Sequence, residues 1–200
     1  MLTTLSTIRA RLAIAADDTT NDALLTNAIA AVSARFDREC RRTFARTVAF
    51  CQEFDGASTE IVADCYPVET VTKFELKASE AEGWVEQDTP GFLIRGRCII
   101  TLHAPFSTLH APRLLARVTY TGGYRLPGSP PLDPPVAVCQ ELPADLEQAA
   151  VEQVAFWFQT RDHAGVLREW PKGGTYEQFA DLDLLPSVRA VLRRYERYDA

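Results

Sequence analysis

The residues best suited to catalysis in this sequence are five cysteines and three histidines. Thiolates and imidazoles serve as nucleophiles, general bases and metal ligands. Cys98 and His103 are close along the chain and could form a Cys/His nucleophile pair. They lie in a strand-like run, however, and residues five apart in a strand point to opposite faces. A structural role is therefore the favoured interpretation, and a small Cys/His hydrolase is the weaker alternative.

The spacing of these side chains does not predict a metal centre or a bound cofactor. No two cysteines have the C-x-x-C spacing of a zinc or redox motif. Their odd number and wide spread favour small buried side chains in a reducing compartment. The remaining histidines, His110 and His163, add no ligand spacing. The cysteines are Cys40, Cys51, Cys65, Cys98 and Cys139.

Glycine pairs and acidic pairs are equally uninformative about catalysis. Gly122–Gly123 and Gly173–Gly174 belong to no dinucleotide-binding or Walker-type loop, so the sequence predicts no phosphate cradle. Asp181 and Asp183 lie in a polar loop, where solvation or helix capping accounts for them. We therefore expect a protein that is not an enzyme and that uses no cofactor and no metal.

Two basic stretches are the remaining candidates for function. The first crowds the end of the second predicted helix, where cations suit the negative helix terminus. A DNA-binding accessory protein that uses an arginine-rich helix over 35–46 is one alternative. This stretch contains Arg35, Arg38, Arg41, Arg42 and Arg46.

The second basic stretch lies on the last predicted helix, where spacings of three and four place its arginines on one broad face. A solvated face is one interpretation. Arginine and tyrosine are also enriched at protein–protein hot spots, so a terminal docking segment is the other. The residues are Arg189, Arg193, Arg194 and Arg197, with Tyr195 and Tyr198 beside them.

Composition restricts the class of protein. Over 200 residues, 46% are apolar and the net charge is −6, which favours a globular chain and argues against a DNA binder that relies on bulk positive charge. The excess of acidic residues falls in the middle, over 51–145. No run of eighteen apolar residues occurs, and the N-terminus is too polar for a signal peptide. We expect the chain in the cytoplasm or in a particle assembled there.

Hydrophobic periodicity predicts an α+β fold. Helical spacing over 4–14 and about 21–43 predicts an αα-hairpin, with Leu25, Ile29, Val32 and Phe36 on one stripe of the second helix. From residue 46 the period changes to two, which indicates an antiparallel β-meander of five to seven strands. Five prolines over 127–135 then forbid a regular element. A strong helix follows from Pro143, with Leu146, Ala150, Val154, Trp157 and Phe158 on its buried face.

These patterns predict four segments. An N-terminal helical hairpin covers 1–45, an antiparallel β region 46–124, a proline-rich linker 125–142 and C-terminal helices 143–200. We expect the C-terminal helices to pack with 1–45 as one helical domain, which the β-meander interrupts.

The order of these segments resembles the tailed-bacteriophage head–tail connector family, the adaptor or head-completion proteins that bind beneath the portal. The resemblance covers most of the chain. It rests on TNDALLTNAIAAVSARFDRECRRTF, YPVETVTKFEL, VTYTGGY, LPADLEQAAVEQVAFWFQTRD and LPSVRAVLRRYERY. The smallest family members are nearly all helical, and the long β region of this chain departs from them.

The resemblance implies an assembly role in the virion neck, with the protein assembled in the host cytoplasm. It implies that the chain forms a ring, normally with twelve subunits because the portal also has twelve. Such a ring often closes only when the subunits bind the portal. The ring extends the channel through which double-stranded DNA is packaged and ejected, without sequence-specific binding. The implied partners are the portal protein, a stopper or tail-completion protein and further copies of the chain, with no membrane.

The resemblance also implies which residues make contacts. A terminal segment grips the portal, so 186–200 is the expected docking segment, with Arg189, Arg193, Arg194, Tyr195, Arg197 and Tyr198 as its candidate anchors. The arginines after the second helix are candidates for contacts between subunits or with the DNA channel. These are Arg35, Arg38, Arg41 and Arg42.

Overall fold

The computed structural model describes residues 1–87, 91–102, 114–131, 139–161 and 183–197. It has helices and mostly antiparallel strands, which confirms the mixed α+β class. The chain forms two compact units. We call the described residues of Met1–Cys40 and Leu142–Glu196 the helical unit, and those of Arg41–Glu141 together with Arg197 the β unit. In the described part of the chain, no helix is long and apolar enough to cross a membrane.

The helical unit contains four described helices. They are α1 (Leu5–Leu12), α2 (Asp22–Glu39), α3 (Ala144–Gln159) and α4 (Pro186–Leu192). Arg9 of α1 fixes the loop to α2, because its Nε donates to Asp22 Oδ1 at 3.0 Å and its two other nitrogens donate to the carbonyl oxygens of Ala16 and Asp18 at 2.7 and 2.9 Å. The acidic residue also suits the positive first turn of α2.

Apolar stripes on the helices form the core of this unit. The predicted stripe of α2 is buried in full, from Leu25 to Phe36. Helix α3 begins after Pro143, and Trp157 and Phe158 at its far end are only half-buried, contrary to the prediction that placed them on the buried face. The buried residues of α3 are Leu146, Ala149, Ala150, Val151, Gln153, Val154 and Ala155.

The β unit contains nine described strands in three sheets. They are β1 (Thr47–Asp55), β2 (Glu60–Val62), β3 (Val68–Lys77), β4 (Val85–Glu86), β5 (Phe92–Arg95), β6 (Ile99–Leu102), β7 (Leu115–Gly122), β8 (Tyr124–Arg125) and β9 (Gln140–Glu141). The sheet orders are β1-β7-β3-β4, β2-β6-β5 and β8-β9.

The strand order corrects the predicted meander. In a meander each strand pairs with the next one along the chain, but β7 lies between β1 and β3 and pairs antiparallel with both. Turn residues indicate only which consecutive strands can pair through a short loop. The position of β7 depends instead on burial of its apolar face in the core. At the two ends of the predicted proline-rich linker, β8 and β9 form a short parallel pair.

The two larger sheets share one apolar core. Its centre includes Tyr120 of β7, whose hydroxyl accepts hydrogen bonds from the backbone N–H groups of Asp64 and Cys65 at 3.0 and 3.1 Å and donates to Gln52 Oε1 at 2.8 Å. Burial raises the pKa of Tyr120, so it stays a neutral hydroxyl. The core residues are Ile61, Ala63, Cys65, Val68, Phe74, Ile100, Leu102, Ala116, Val118 and Tyr120.

Three backbone segments meet at the glycine pair that ends β7. Gly123 N donates to Pro67 O at 2.9 Å, and Tyr124 N donates to Phe44 O at 2.7 Å. A Cβ atom on Gly122 would lie 2.3 Å from the carbonyl oxygen of Cys65. Both glycines are therefore required by the close approach of neighbouring backbone.

A buried carboxylate lies on the outer face of the four-stranded sheet. Glu75 is only 5% exposed and accepts hydrogen bonds from Lys73 Nζ at 2.9 Å and Arg117 Nε at 2.8 Å. The Trp84 ring covers the Arg117 guanidinium at 4.3 Å. Burial on its own would raise the pKa of Glu75, but the hydrogen bonds from Lys73 and Arg117 outweigh burial and lower it.

This carboxylate predicts a pH-dependent stability. A lowered pKa in the folded state stabilises the fold above the unfolded value of about 4.5, and that contribution is lost as the pH falls through the folded value. We expect Glu75→Gln to lower the free energy of unfolding by about 2 kcal/mol at pH 7, because two cations lose their partner.

Urea unfolding of both proteins at pH 7 and pH 3 measures the effect. The difference between wild type and variant should narrow at pH 3. Glu80→Gln is the control, because the Glu80 side chain is 92% exposed and should show a small difference at either pH. If the difference in free energy of unfolding between wild type and Glu75→Gln stayed constant with pH, the ionised Glu75 carboxylate would not be the source of the stabilisation.

Candidate interaction surface

The two basic stretches predicted from the sequence meet in the helical unit at a single carboxylate. Arg35 Nη2 of α2 lies 3.4 Å from Asp183 Oδ1, and Arg189 of α4 forms an ion pair with Asp183 Oδ2. Arg35 Nε also donates to Glu39 Oε1 at 2.7 Å. Asp183, for which the sequence predicted only solvation or capping, therefore joins the end of α2 to α4.

A buried glutamine holds the segment that carries Asp183. Gln153 of α3 has no exposed surface. Its Oε1 accepts from Leu185 N at 2.9 Å, and its Nε2 donates to Asp183 O at 3.4 Å. Because a buried amide left without partners is costly, these two bonds fix the backbone before α4 and hence the direction in which α4 leaves.

Helix α4 is packed against the rest of the helical unit. Val188 and Leu192 are buried at 0% and 4% exposure. Cys40 Sγ donates to Leu192 O at 3.5 Å, and the Tyr195 hydroxyl donates to Asp145 Oδ1 at 2.6 Å. Helix α4 is thus part of the helical core through Val188 and Leu192, while Arg193, Arg194 and Glu196 after it are exposed.

A hollow of about 310 Å³ lies between the end of α2 and α4. The two leucines that line it are nearly fully buried and give it an apolar floor. Two arginines and two glutamates complete the described lining. The lining residues are Glu39, Leu184, Arg189, Leu192, Arg193 and Glu196.

Three of the predicted arginines of the helical unit are exposed and unpaired among the described residues. Arg38, Arg193 and Arg194 are exposed, and within the described ranges none of their side chains has a hydrogen-bond or ion-pair partner. Arg189 is 49% exposed even with Asp183 beside it. Of these arginines, Arg189 and Arg193 line the hollow.

Two predicted members of the first basic stretch lie elsewhere. Helix α2 ends at Glu39, so the prediction of a helix to residue 43 is wrong at its end. Arg41 follows the helix with a left-handed φ of 51°. Arg42 lies in the β unit and is only 4% exposed. Its guanidinium carbon is 3.2 Å from the centre of the Tyr66 ring. The arginine-rich helix over 35–46 is therefore not continuous.

Arg197, the last arginine of the second basic stretch, does not lie with the others in the helical unit. Arg197 belongs to the β unit, where its Nη2 donates to Val62 O at 2.9 Å and its guanidinium pairs with Asp64. Burial raises the pKa of Asp64, and the neighbouring Arg197 partly offsets that rise. Tyr198 lies outside the described residues.

The described residues include little that could do covalent chemistry. Cys98 Sγ lies 4.0 Å from Arg95 O, and His103, His110 and His163 fall outside the described residues. Across the described ranges, no group of three or more histidine, cysteine and acidic side chains could hold a metal ion.

The structure adds Asp183 and Gln153 to the residues that sequence reasoning selected. Gln153 could have been found, because it follows Leu146 and Ala150 at seven and three residues on the buried stripe of α3. A glutamine on such a stripe requires buried partners. Asp183 contacts Arg35 across 148 residues of sequence, and no local pattern indicates that contact.

Comparison with known proteins gives matches among solved structures. No protein-family model matches the chain, and no curated protein matches its sequence. A chain from the neck of an empty GTA particle, computed with C6 symmetry, aligns with a TM-score of 0.58 and 16% identity over 98% of this chain and 89% of that chain.

Two further structures give similar alignments. A chain from the virion of a native gene transfer agent (GTA) particle aligns with a TM-score of 0.51 and 17% identity, over 92% of this chain and 82% of that chain. A chain from the neck of a native GTA particle, computed with C12 symmetry, aligns with a TM-score of 0.50 and 18% identity, over 98% and 89%. At these identities the similarity shows a shared fold.

Proposed function

We propose that the chain is a structural head–tail connector, or adaptor, in the neck of a tailed phage or prophage particle. The observation that carries the proposal is a fold shared along 98% of the chain with a chain from a GTA neck. The segments of the sequence that resemble the connector family also support it. Its role is assembly and not catalysis.

The connector would act as a ring beneath the portal, extending the DNA channel and forming a platform for a stopper or tail-completion protein. Neck structures computed with C6 and C12 symmetry support a ring of identical subunits. Twelve copies would match a twelve-fold portal. Such a ring requires two different complementary surfaces on each subunit, because its contacts run head to tail.

The outer face of α4 is the proposed portal-docking surface. Arg189, Arg193 and Arg194 lie there, and Tyr195 anchors the end of α4 through Asp145. Arg197 is excluded from this face because it pairs within the β unit. Since α4 is packed in the helical unit, we propose that the portal binds this preformed face. Contacts between subunits or with the channel are assigned to Arg35, Arg38 and Arg41.

Arg42 is not assigned to contacts between subunits or with the channel, because it is buried.

DNA would pass through the ring without tight binding. A channel that lets DNA slide must avoid strong neutralisation of phosphates, and the net charge of −6 fits that requirement.

Sedimentation with the portal protein of the same particle tests the proposal. We expect the chain to move with the portal and to show no mobility shift with double-stranded DNA at 50 to 200 mM salt, about the range over which phosphate contacts weaken steeply. A chain that stays in the supernatant, or that binds DNA with steep salt dependence, would favour the DNA-binding alternative instead.

A further inference from the structure

We propose that the hollow between α2 and α4 binds an acidic protein segment, in which a carboxylate side chain is followed by an apolar one. This inference rests on the proposed connector function, which makes the portal protein the source of the segment. It specifies the chemistry that the portal would present to this face.

The cations that would hold the carboxylate are one helical turn apart. Arg189 and Arg193 are four residues apart on α4 and its C-terminal turn, and both line the hollow. Arg193 has no side-chain partner among the described residues, and Arg189 shares its charge only with Asp183, whose side chain is 38% exposed. A carboxylate entering the hollow therefore meets two guanidinium groups, which bind it with charge-assisted hydrogen bonds.

The leucines of the hollow favour an apolar residue next to the bound carboxylate in the acidic segment. Leu184 and Leu192 are 5% and 4% exposed and belong to the core of the helical unit, so their position does not depend on a bound partner. An aliphatic side chain next to the carboxylate would cover them and exclude water from the charged contacts. Shielding from water strengthens such contacts.

The carboxylates in the lining of the hollow favour a protein over a nucleic acid. Glu39 and Glu196 line the same hollow as the two arginines. A nucleic-acid strand carries a charge at every phosphate, so phosphates next to the bound one would approach these glutamates. A polypeptide can place one carboxylate between the arginines and uncharged residues beside the glutamates. The mixed charges of the lining therefore fit a peptide with a single carboxylate better than a strand of phosphates.

Peptide binding to the full chain tests the hollow directly. The probes are three acetylated heptapeptides that alternate leucine with glutamate, glutamine or lysine, together with a single-stranded DNA oligonucleotide. We expect only the leucine–glutamate peptide to shift the amide NMR signals of Arg189, Leu192 and Arg193. Shifts from the DNA instead, equal shifts from all three peptides or no shift would overturn the inference.

A matched pair of charge reversals tests the same hollow with the portal. Arg193→Glu should weaken portal binding about ten-fold or more, and Arg193→Gln should have an intermediate effect. Arg11→Glu on α1 is the control, because Arg11 is an exposed arginine of the same unit that does not line the hollow. Circular dichroism of each variant checks that the fold is intact.

The outcomes separate the two proposals. If wild type does not bind the portal, the connector function fails, and the peptide experiment still decides whether the hollow binds acidic segments. If wild type binds and Arg193→Glu binds equally well, the hollow is not the docking site and only the connector function stands.

Discussion

Replacing Gly123 with alanine is expected to destabilise the β unit by about 4 kcal/mol, or to prevent it from folding. Gly123 has a φ of +99°, which L-residues rarely adopt, and an added Cβ would lie 2.6 Å from the carbonyl oxygen of Ala45. The obstacle is backbone, held by the hydrogen bonds between 44–46 and Tyr124, so it cannot move aside cheaply.

Gly83→Ala measures the cost of a positive φ without the steric clash that an added Cβ would make at Gly123. Gly83 has a φ of +70°, but an added Cβ would meet nothing within 4 Å. We expect it to cost about 1 kcal/mol, from the backbone conformation alone. Gly122→Ala, which lacks the positive φ, should show the steric part, because its Cβ would lie 2.3 Å from Cys65 O. Denaturant unfolding measures all three, and equal effects at positions 83 and 123 would contradict the account.

Replacing Gln153 with methionine is expected to cost about 2–3 kcal/mol and to abolish portal binding. Methionine keeps the unbranched shape of glutamine but leaves the N–H of Leu185 and the carbonyl of Asp183 without the hydrogen bonds that Gln153 supplies. The segment before α4 would then lose its fixed position. Asp183 would no longer be held between Arg35 and Arg189, so the docking face would be disordered even in protein that remains folded.

Gln148→Met is the matched control for this experiment. Gln148 is on the same helix, but it is exposed, and its Nε2 donates to Glu152 Oε1 at 3.2 Å. We expect its free energy of unfolding and its portal binding to stay near those of wild type. If Gln153→Met folds with wild-type stability and still binds portal, Gln153 does not position the docking face.

Sequence reasoning was most successful where structure depends on local periodicity. The buried stripe of α2 from Leu25 to Phe36 and the helix that begins after Pro143 both follow from spacing along one helix. The order of the strands depends on pairing between distant segments instead. Val118 of β7 pairs with Gln52 on one side and with Phe74 on the other, and turn residues carry no information about either partner.

The candidate surface was predictable in its residue types but not in its arrangement. Arginine spacing indicated the exposed face with Arg193, while Arg42 was misassigned because its aromatic neighbours Tyr66 and Tyr124 come from elsewhere in the chain. The link through Asp183 joins positions 148 residues apart. Long-range contacts of this kind depend on the assembled core, so single-sequence patterns do not reveal them.

Electron microscopy of the chain mixed with the portal protein of the same particle tests the connector proposal most directly. We expect an added ring on one face of the portal, with one copy of the chain for each portal subunit, and loss of that ring with Arg193→Glu but not with Arg11→Glu. Portal particles that remain bare at saturating chain concentration, or an added density without rotational symmetry, would contradict it.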